Sequence, residues 1–249
     1  MNSDSDVPAR PSSLATRHCP DGLHVAIIMD GSGRWAQACG LPRPEGHCAG
    51  TPAVRQVVEA ATRLGISTLT LFAFSQDNWQ RPPREVAGLM EVFEDYIVSL
   101  AENAPAQGLR LSVLGRRDRL PSSLLVAIRA AEEATGEGRA LHLRLAIDYS
   151  GRDAILRAAC RAQELPPLYA DTFARLITED DAVLDVDLLI RTGGEFRLSD
   201  CPLWEIAYAE LVFTKTLWPD FGPGDLEAAL AEFRGRERRF GHILEPVAP

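Results

Sequence analysis

Lysine is almost absent: Lys215 stands alone beside 25 arginines. Because composition alone supplies so many guanidinium groups, an arginine at any single position is weak evidence of a site. Acid exceeds base, 35 residues to 26, for a net charge of -9. That balance excludes a general nucleic-acid binder, whose affinity rests on many Lys and Arg contacts to phosphates. An anionic ligand must meet a local cluster of arginines. Cysteine is scarce and odd in number (Cys19, Cys39, Cys48, Cys160, Cys201), with no Cys-x-x-Cys and no zinc-like spacing. A disulfide framework is thereby excluded and a reducing compartment expected. No apolar run approaches the roughly 18–20 residues of a membrane span, and acidic residues stand where a signal peptide would be basic. The expected location is cytoplasmic. With 19 Gly and 17 Pro and no period, and 46% hydrophobic residues, the chain is neither collagen-like nor wholly disordered. At 249 residues it buries enough surface to fold without metal or disulfide.

Residues 1–22 are rich in Ser, Pro and Asp and read as a flexible tail, with one domain expected over 23–249. Short β-rich runs recur at 24–30, 67–74, 109–115, 141–149, 186–191 and 209–214. Helical patterns lie between most of them. Val86, Leu89, Met90, Phe93, Tyr96, Ile97 and Leu100 keep the 3,4 spacing of one helix face. Strand and helix in alternation predict an α/β fold, a parallel sheet flanked by helices. Taken alone, the stripe from Val86 to Leu100 is simply a helix packed on that sheet.

The first run, His24-Val-Ala-Ile-Ile-Met-Asp30, ends in a carboxylate and enters Gly31-Ser32-Gly33-Arg34-Trp35. In open parallel sheets ligands bind beyond the carboxyl ends of the strands. Two glycines let backbone N–H groups approach an anion, and Arg34 adds a fork of donors. This composition suits a diphosphate cradle, in which Mg²⁺ would reconcile Asp30 with the phosphates. The same four residues also make a plain turn. Neither the spaced Gly-x-Gly-x-x-Gly fingerprint nor Gly-Lys-Ser/Thr is present, which disfavours nucleotide loops.

Arg43 and His47 follow, both able to donate to phosphate, although a lone histidine is more often structural. The second run ends in Phe74-Ser75-Gln-Asp-Asn78-Trp79-Gln-Arg81-Pro-Pro. Trp79 there could shield an apolar substrate while Arg81 meets its charged end; a helix-capping loop with a packed tryptophan is the alternative. Arg191-Thr-Gly-Gly-Glu-Phe-Arg197-Leu-Ser199 closes the fifth run and suits a second phosphate site. Glu210 is either a second metal carboxylate or a salt-bridge partner. Two anion sites and an apolar-faced helix point to two diphosphate substrates with a hydrophobic tail.

Taken in order, these blocks resemble the cis-prenyltransferases, and most of all the bacterial undecaprenyl diphosphate synthases. The resemblance runs over about residues 24–241. It adds Gly46-His47-x-Ala-Gly50, Tyr149-x-Gly-Arg152, Asp187 to Ser199, Trp204 to Phe221 and Arg236-Glu-Arg-Arg-Phe-Gly241 to the segments above. It implies a six-stranded parallel sheet, a hydrophobic tunnel and a homodimer. It further implies repeated addition of isopentenyl diphosphate to an allylic prenyl diphosphate, with a new cis double bond each time. By the match, Asp30 holds Mg²⁺, and Gly31, Gly33, Arg34, Trp35, Arg43 and His47 bind the allylic diphosphate. Arg191, Arg197 and Ser199 match the isopentenyl diphosphate site and Glu210 the second metal carboxylate. Ser75, Asn78, Trp79 and Arg81 match a mobile catalytic loop. Ala73, Leu89, Val92, Phe93, Tyr96, Leu141 and Leu143 are expected to line the tunnel, and peripheral membrane contact would serve product release.

Four departures stand out. Ser32 replaces the family's usual Asn, Asp77 the usual Glu, Phe196 a frequent His, and Leu198-Ser-Asp200-Cys201 departs from Ser-Asn-Phe. Serine is shorter than asparagine and lacks the amide fork, which opens a short-chain or irregular product as an alternative. A third alternative, a non-catalytic partner subunit, is opposed by the retained Asp30, Arg34, Arg191, Arg197 and Glu210. Tyr96 is bulky for a long-chain relative, whereas small Ala73 leaves the tunnel entrance open.

Overall fold

A computed structural model describes residues 22–163, 169–180 and 185–238. The tail, apart from residue 22, lies outside them, as do residues 239–241 of the last resembling block. Each β-rich run becomes a strand: β1 (Leu23–Ile28), β2 (Ile66–Ser75), β3 (Leu109–Leu114), β4 (Leu141–Tyr149), β5 (Leu188–Arg191) and β6 (Glu210–Phe213). The helices are α1 (Ser32–Ala38), α2 (Arg43–Arg63), α3 (Pro83–Asn103), α4 (Ser122–Ala134), α5 (Gly151–Ala162), α6 (Ala170–Thr178) and α7 (Pro223–Arg234).

The sheet has six strands in the order β3-β4-β2-β1-β5-β6, and every neighbouring pair is parallel. Helices cover both faces, so central strands are apolar on both sides. Val25, Ala26, Ile27 and Ile28 are accordingly all buried. Edge strand β3 instead alternates, burying Leu109, Leu111 and Val113. One face packs Val25, Ile27, Leu69 and Leu71 against Val57 of α2, Ile97 of α3, Ile128 of α4 and Leu226 of α7. The other packs Ala26, Ile28 and Leu189 against Cys201 and Ile206, and Ala146 and Tyr149 against Ala154 and Ala158 of α5. Among the described residues no helix is long and apolar enough to cross a membrane.

Strands β1, β3, β5 and β6 are each shorter than the expected runs. Asp30 leaves β1 because its N–H donates to the Thr192 hydroxyl at 2.8 Å and to Ile28 O at 3.0 Å, which turns the chain at the strand's end. Val186 is buried, but its N–H goes to Glu205 O at 2.8 Å instead of to the ladder. From β1 the chain builds β2, edge strand β3 and then β4 between them on one side, and crosses to β5 on the other. The switch point therefore lies between β1 and β5, where Asp30 and Arg191 emerge.

Candidate active site

Asp30 stands where the two halves of the sheet part. Its Oδ2 accepts from Arg191 Nη2 at 2.9 Å, and its Oδ1 lies 3.2 Å from Arg34 Nη2. Burial pushes the carboxyl up, but the Arg191 hydrogen bond and the charges of Arg34 and Arg191 together hold it below its ordinary value. It is an anion pinned between two cations. Gly31 follows with φ 115°, a conformation open to glycine, and a Cβ there would stand 2.8 Å from Leu217.

The β1 side supplies exposed cations, Arg34 and Arg43. The guanidinium of Arg43 lies over Gly33, close enough that a Cβ at Gly33 would meet it at 2.7 Å. Helix α2 approaches α1 tightly because Gly46 has no side chain: a Cβ would fall 2.0 Å from Ser32 O. That approach brings His47 to the site. Beneath these cations lies Glu85, in the first turn of α3 and nearly buried. Its carboxylate meets His47 Nε2 at 3.2 Å, Arg81 at 3.5 Å and Arg43 at 3.6 Å. Burial pushes Glu85 up, yet the His47 hydrogen bond and the two arginines hold it below its ordinary value. Burial lowers His47, and the Glu85 hydrogen bond offsets only part of that, so the imidazole is neutral near pH 7.

On the β5 side, Arg191 is 3% exposed and donates to Ser199 Oγ at 2.8 Å, to Arg197 O and to Asp30. Ser199 and Asp200 take left-handed φ values of 51° and 57°, which fold the loop back onto Arg191. Arg197 extends outward, 60% exposed, and pairs with Glu195 at 2.5 Å.

Between the sides opens a cavity of about 350 Å³. Its mouth is lined by Asp30, Gly31, Ser32, Gly33, Arg43, His47, Ser75, Asn78, Arg81, Arg191, Arg197 and Ser199. Its inner wall is apolar, with Ala73, Leu89, Val92, Phe93 and Tyr96 alongside Leu145 and Ile147. Arg34 stands just behind the mouth, donating to Gly193 O at 2.6 Å.

Other expected residues lie elsewhere. Leu141 and Leu143 are buried in the core on the same side of β4 as Leu145 and Ile147, but deeper, below the end of the cavity. Trp35 donates its indole N–H to Asp220 at 2.8 Å, and Trp79 donates to Asp148 at 2.9 Å; neither lines the cavity. Glu210 opens β6, level in register with Leu188 and, through it, Val25. That places it roughly 10 Å or more below Asp30 along the strands. It pairs with Arg236 at 2.9 Å. Within one chain, then, Asp30 and Glu210 do not share a cation. Sequence reasoning passed over Glu85, in the first turn after Pro82-Pro83 and four residues beyond Arg81, and Thr192, whose hydroxyl takes the Asp30 N–H.

The family model described as "Putative undecaprenyl diphosphate synthase" matches residues 28–241. The chain belongs to the undecaprenyl diphosphate synthase family. Isoprenyl transferase 1 of Bradyrhizobium diazoefficiens is 56% identical over 227 residues, 91% of this chain and 92% of that protein. The (2E,6E)-farnesyl-diphosphate-specific ditrans,polycis-undecaprenyl-diphosphate synthase of Shewanella oneidensis is 45% identical, over 88% of this chain and 82% of that one. Among solved structures, lavandulyl diphosphate synthase from Lavandula x intermedia, in complex with dimethylallyl diphosphate, superposes with a TM-score of 0.85 at 37% identity. That match covers 89% of this chain and 99% of the other. As a member of the undecaprenyl diphosphate synthase family the chain is a prenyltransferase.

Proposed function

We propose that the chain condenses isopentenyl diphosphate with an allylic prenyl diphosphate to give a Z-polyprenyl diphosphate of the undecaprenyl type. The observation that carries the reading is the carboxylate of Asp30, held between Arg34 and Arg191 at the cationic mouth of an apolar cavity. The allylic diphosphate rests against Gly31, Gly33, Arg43, His47 and Arg81, and isopentenyl diphosphate against Arg191, Arg197 and Ser199.

Breaking the allylic C–O bond leaves positive charge on carbon and negative charge on the departing diphosphate. Arginines aimed at the leaving group stabilise that separation as it develops. Arg43 is free to swing from Glu85 to phosphate, because its side chain is 57% exposed. The apolar wall keeps water from the allylic cation while the new carbon–carbon bond forms. Ser32 and Asn78 border the mouth and can orient the reacting carbons.

The donor set also bears on metal. Among the described residues no three His, Cys, Asp or Glu side chains gather, which does not fit an all-protein cage. It does fit Mg²⁺, which commonly takes one or two carboxylates and completes its octahedron with phosphate oxygens and water. Asp30 would hold it, and when bound it would neutralise the leaving diphosphate. A homodimer, a cytoplasmic location, peripheral membrane contact on product release and one catalytic domain over 23–249 belong to the same reading.

A short-chain or irregular product is the second reading. Ser32 borders the cavity mouth and Tyr96 narrows its wall. Incubation with isopentenyl diphosphate, Mg²⁺ and each allylic starter, followed by chromatography of the dephosphorylated products, separates the two. A ladder of Z-polyprenols supports the first. Labelled isopentenyl diphosphate left unincorporated with every starter would overturn it.

A further inference from the structure

Asp148 is wholly buried and has no part in the cavity. It lies near the carboxyl end of β4 with φ 54°, a left-handed conformation uncommon outside glycine and tolerated best by Asn and Asp. The ladder to β2 is irregular there: Phe74 is level with Ile147 and Ser75 with Tyr149, so Asp148 has no counterpart. The bulge turns its carboxylate toward the segment that leaves β2.

That carboxylate is fully engaged. Oδ1 accepts the indole N–H of Trp79 at 2.9 Å, Oδ2 accepts Arg119 Nε at 2.9 Å, and Arg119 Nη2 also donates to Oδ1. Arg119 then lies over the indole, 5.4 Å from its centroid. The other edge of Trp79 meets Phe74 at 5.4 Å, and Phe74 in turn meets Phe93 at 6.2 Å. Trp79 is therefore gripped by a carboxylate, a guanidinium and an aromatic side chain.

Trp79 belongs to the 3-10 turn Gln76–Gln80, between β2 and α3. This turn carries Asn78 to the cavity, with Ser75 and Arg81 at its flanks. Asn78 is bound to it locally, its Oδ1 accepting the Ser75 N–H at 3.1 Å. Outside the turn lies an open groove walled by Val86, Met90, Arg119 and Leu120, into which the turn has room to move. We propose that Asp148 is a positioning residue: with Arg119 it latches Trp79, and through Trp79 it sets where Asn78 and Arg81 stand at the cavity mouth. The proposal rests on the reading of Ser75 to Arg81 as part of the active site.

The test uses the full chain labelled with 5-fluorotryptophan, whose four tryptophans give separate fluorine signals; Trp79→Phe assigns the one that matters. In Asp148→Ala the Trp79 signal shifts and broadens while the other three stay in place. In the same variant kcat falls about tenfold or more, since a misplacement of about an ångström costs up to roughly a hundredfold. Asp148→Asn keeps an acceptor for the indole and tolerates the left-handed backbone. It returns the signal to its place and kcat to within about threefold of the parent. If Asp148→Ala does not fold, Arg119→Met, which keeps bulk over the ring and removes the donors, must broaden the same signal.

A Trp79 signal unmoved in folded Asp148→Ala or Arg119→Met, or moved with kcat unchanged, overturns the latch. The fluorine signals need no substrate. Failure of the parent enzyme to incorporate isopentenyl diphosphate would instead count against the functional reading, and the two failures are distinguishable.

Discussion

The cavity mouth uses arginine in two opposite ways, at Arg34 and Arg43 on one side and at Arg191 on the other. On the β1 side the guanidinium groups of Arg34 and Arg43 sit on helices with side chains 43% and 57% exposed. On the β5 side Arg191 grows from the strand itself, is 3% exposed and is tied to Asp30, Ser199 and the Arg197 carbonyl. The difference separates binding from architecture. An exposed arginine contributes to a ligand and little to the fold, whereas a buried one leaves an uncompensated partner when it is removed.

The largest expected effect falls where the sides meet. Asp30→Ala should lower kcat by roughly two to three orders of magnitude, about 3–4 kcal/mol of transition-state stabilisation. The melting temperature should fall as well, because Asp30 is the carboxylate paired with the 3% exposed Arg191. Near-normal turnover in folded Asp30→Ala would remove it from the chemistry. Next, Arg191→Ala should raise KM for isopentenyl diphosphate about tenfold to a hundredfold, a charge-assisted bond being worth roughly 1.5–3 kcal/mol. It should also lower the melting temperature. Arg191→Lys should rescue poorly, since an ammonium cannot reach three acceptors in one plane. By contrast, Arg43→Ala should raise KM for the allylic substrate and leave the melting temperature unchanged. Equal losses of stability in Arg43→Ala and Arg191→Ala would break the contrast between the sides.

How much of this was legible follows the same line between pattern and depth. The run His24 to Asp30 showed a strand ending in a carboxylate, since apolar continuity and the glycines after it are local signals. The six strands were legible for the same reason. The resemblance pointed to Leu141 and Leu143, which share a face of β4 with Leu145 and Ile147, but alternation along a strand does not say how far down that face a cavity reaches, because period carries no depth. Glu210 shows a related limit. Its order in the chain says nothing of its height in the sheet, and only the register through Leu188 puts it far from Asp30. Glu85 draws together Arg43, His47 and Arg81, and two of those partners are about forty positions away, too far for any local pattern to show.

Depth along the cavity gives the third prediction. Tyr96→Ala should lengthen the product distribution by opening space at the inner wall, and Ala73→Leu should shorten it by narrowing the passage. Leu143→Ala, one pair deeper on β4, should cost stability and leave product length alone. Chromatography of the dephosphorylated products reads all three. Lengths unchanged in Tyr96→Ala and Ala73→Leu would show that these side chains do not meet the growing chain. A product shift in Leu143→Ala would mean that the passage runs deeper than the cavity wall.

The smallest expected effect compares two half-buried histidines. His47 sits at the mouth against Glu85, whereas His142 lies on the other face of the sheet, 2.8 Å from Ser112 Oγ. Burial lowers the pKa of both below 6.5; in His142 the charges of Arg144 and Arg110 add to it. A folded state that keeps an imidazole neutral binds fewer protons than the unfolded chain, so stability falls as pH drops below 6.5 and continues to fall until the folded pKa is reached. Each such group contributes a slope of at most about 1.4 kcal/mol per pH unit. In urea titrations between pH 7 and 5, His142→Gln should flatten that slope while leaving the pH dependence of KM for the allylic substrate unchanged. His47→Gln should flatten it less, because the Glu85 hydrogen bond already returns part of the shift, and should raise that KM. A slope untouched by His142→Gln would mean that this ring takes up its proton in the folded protein as readily as in the unfolded chain.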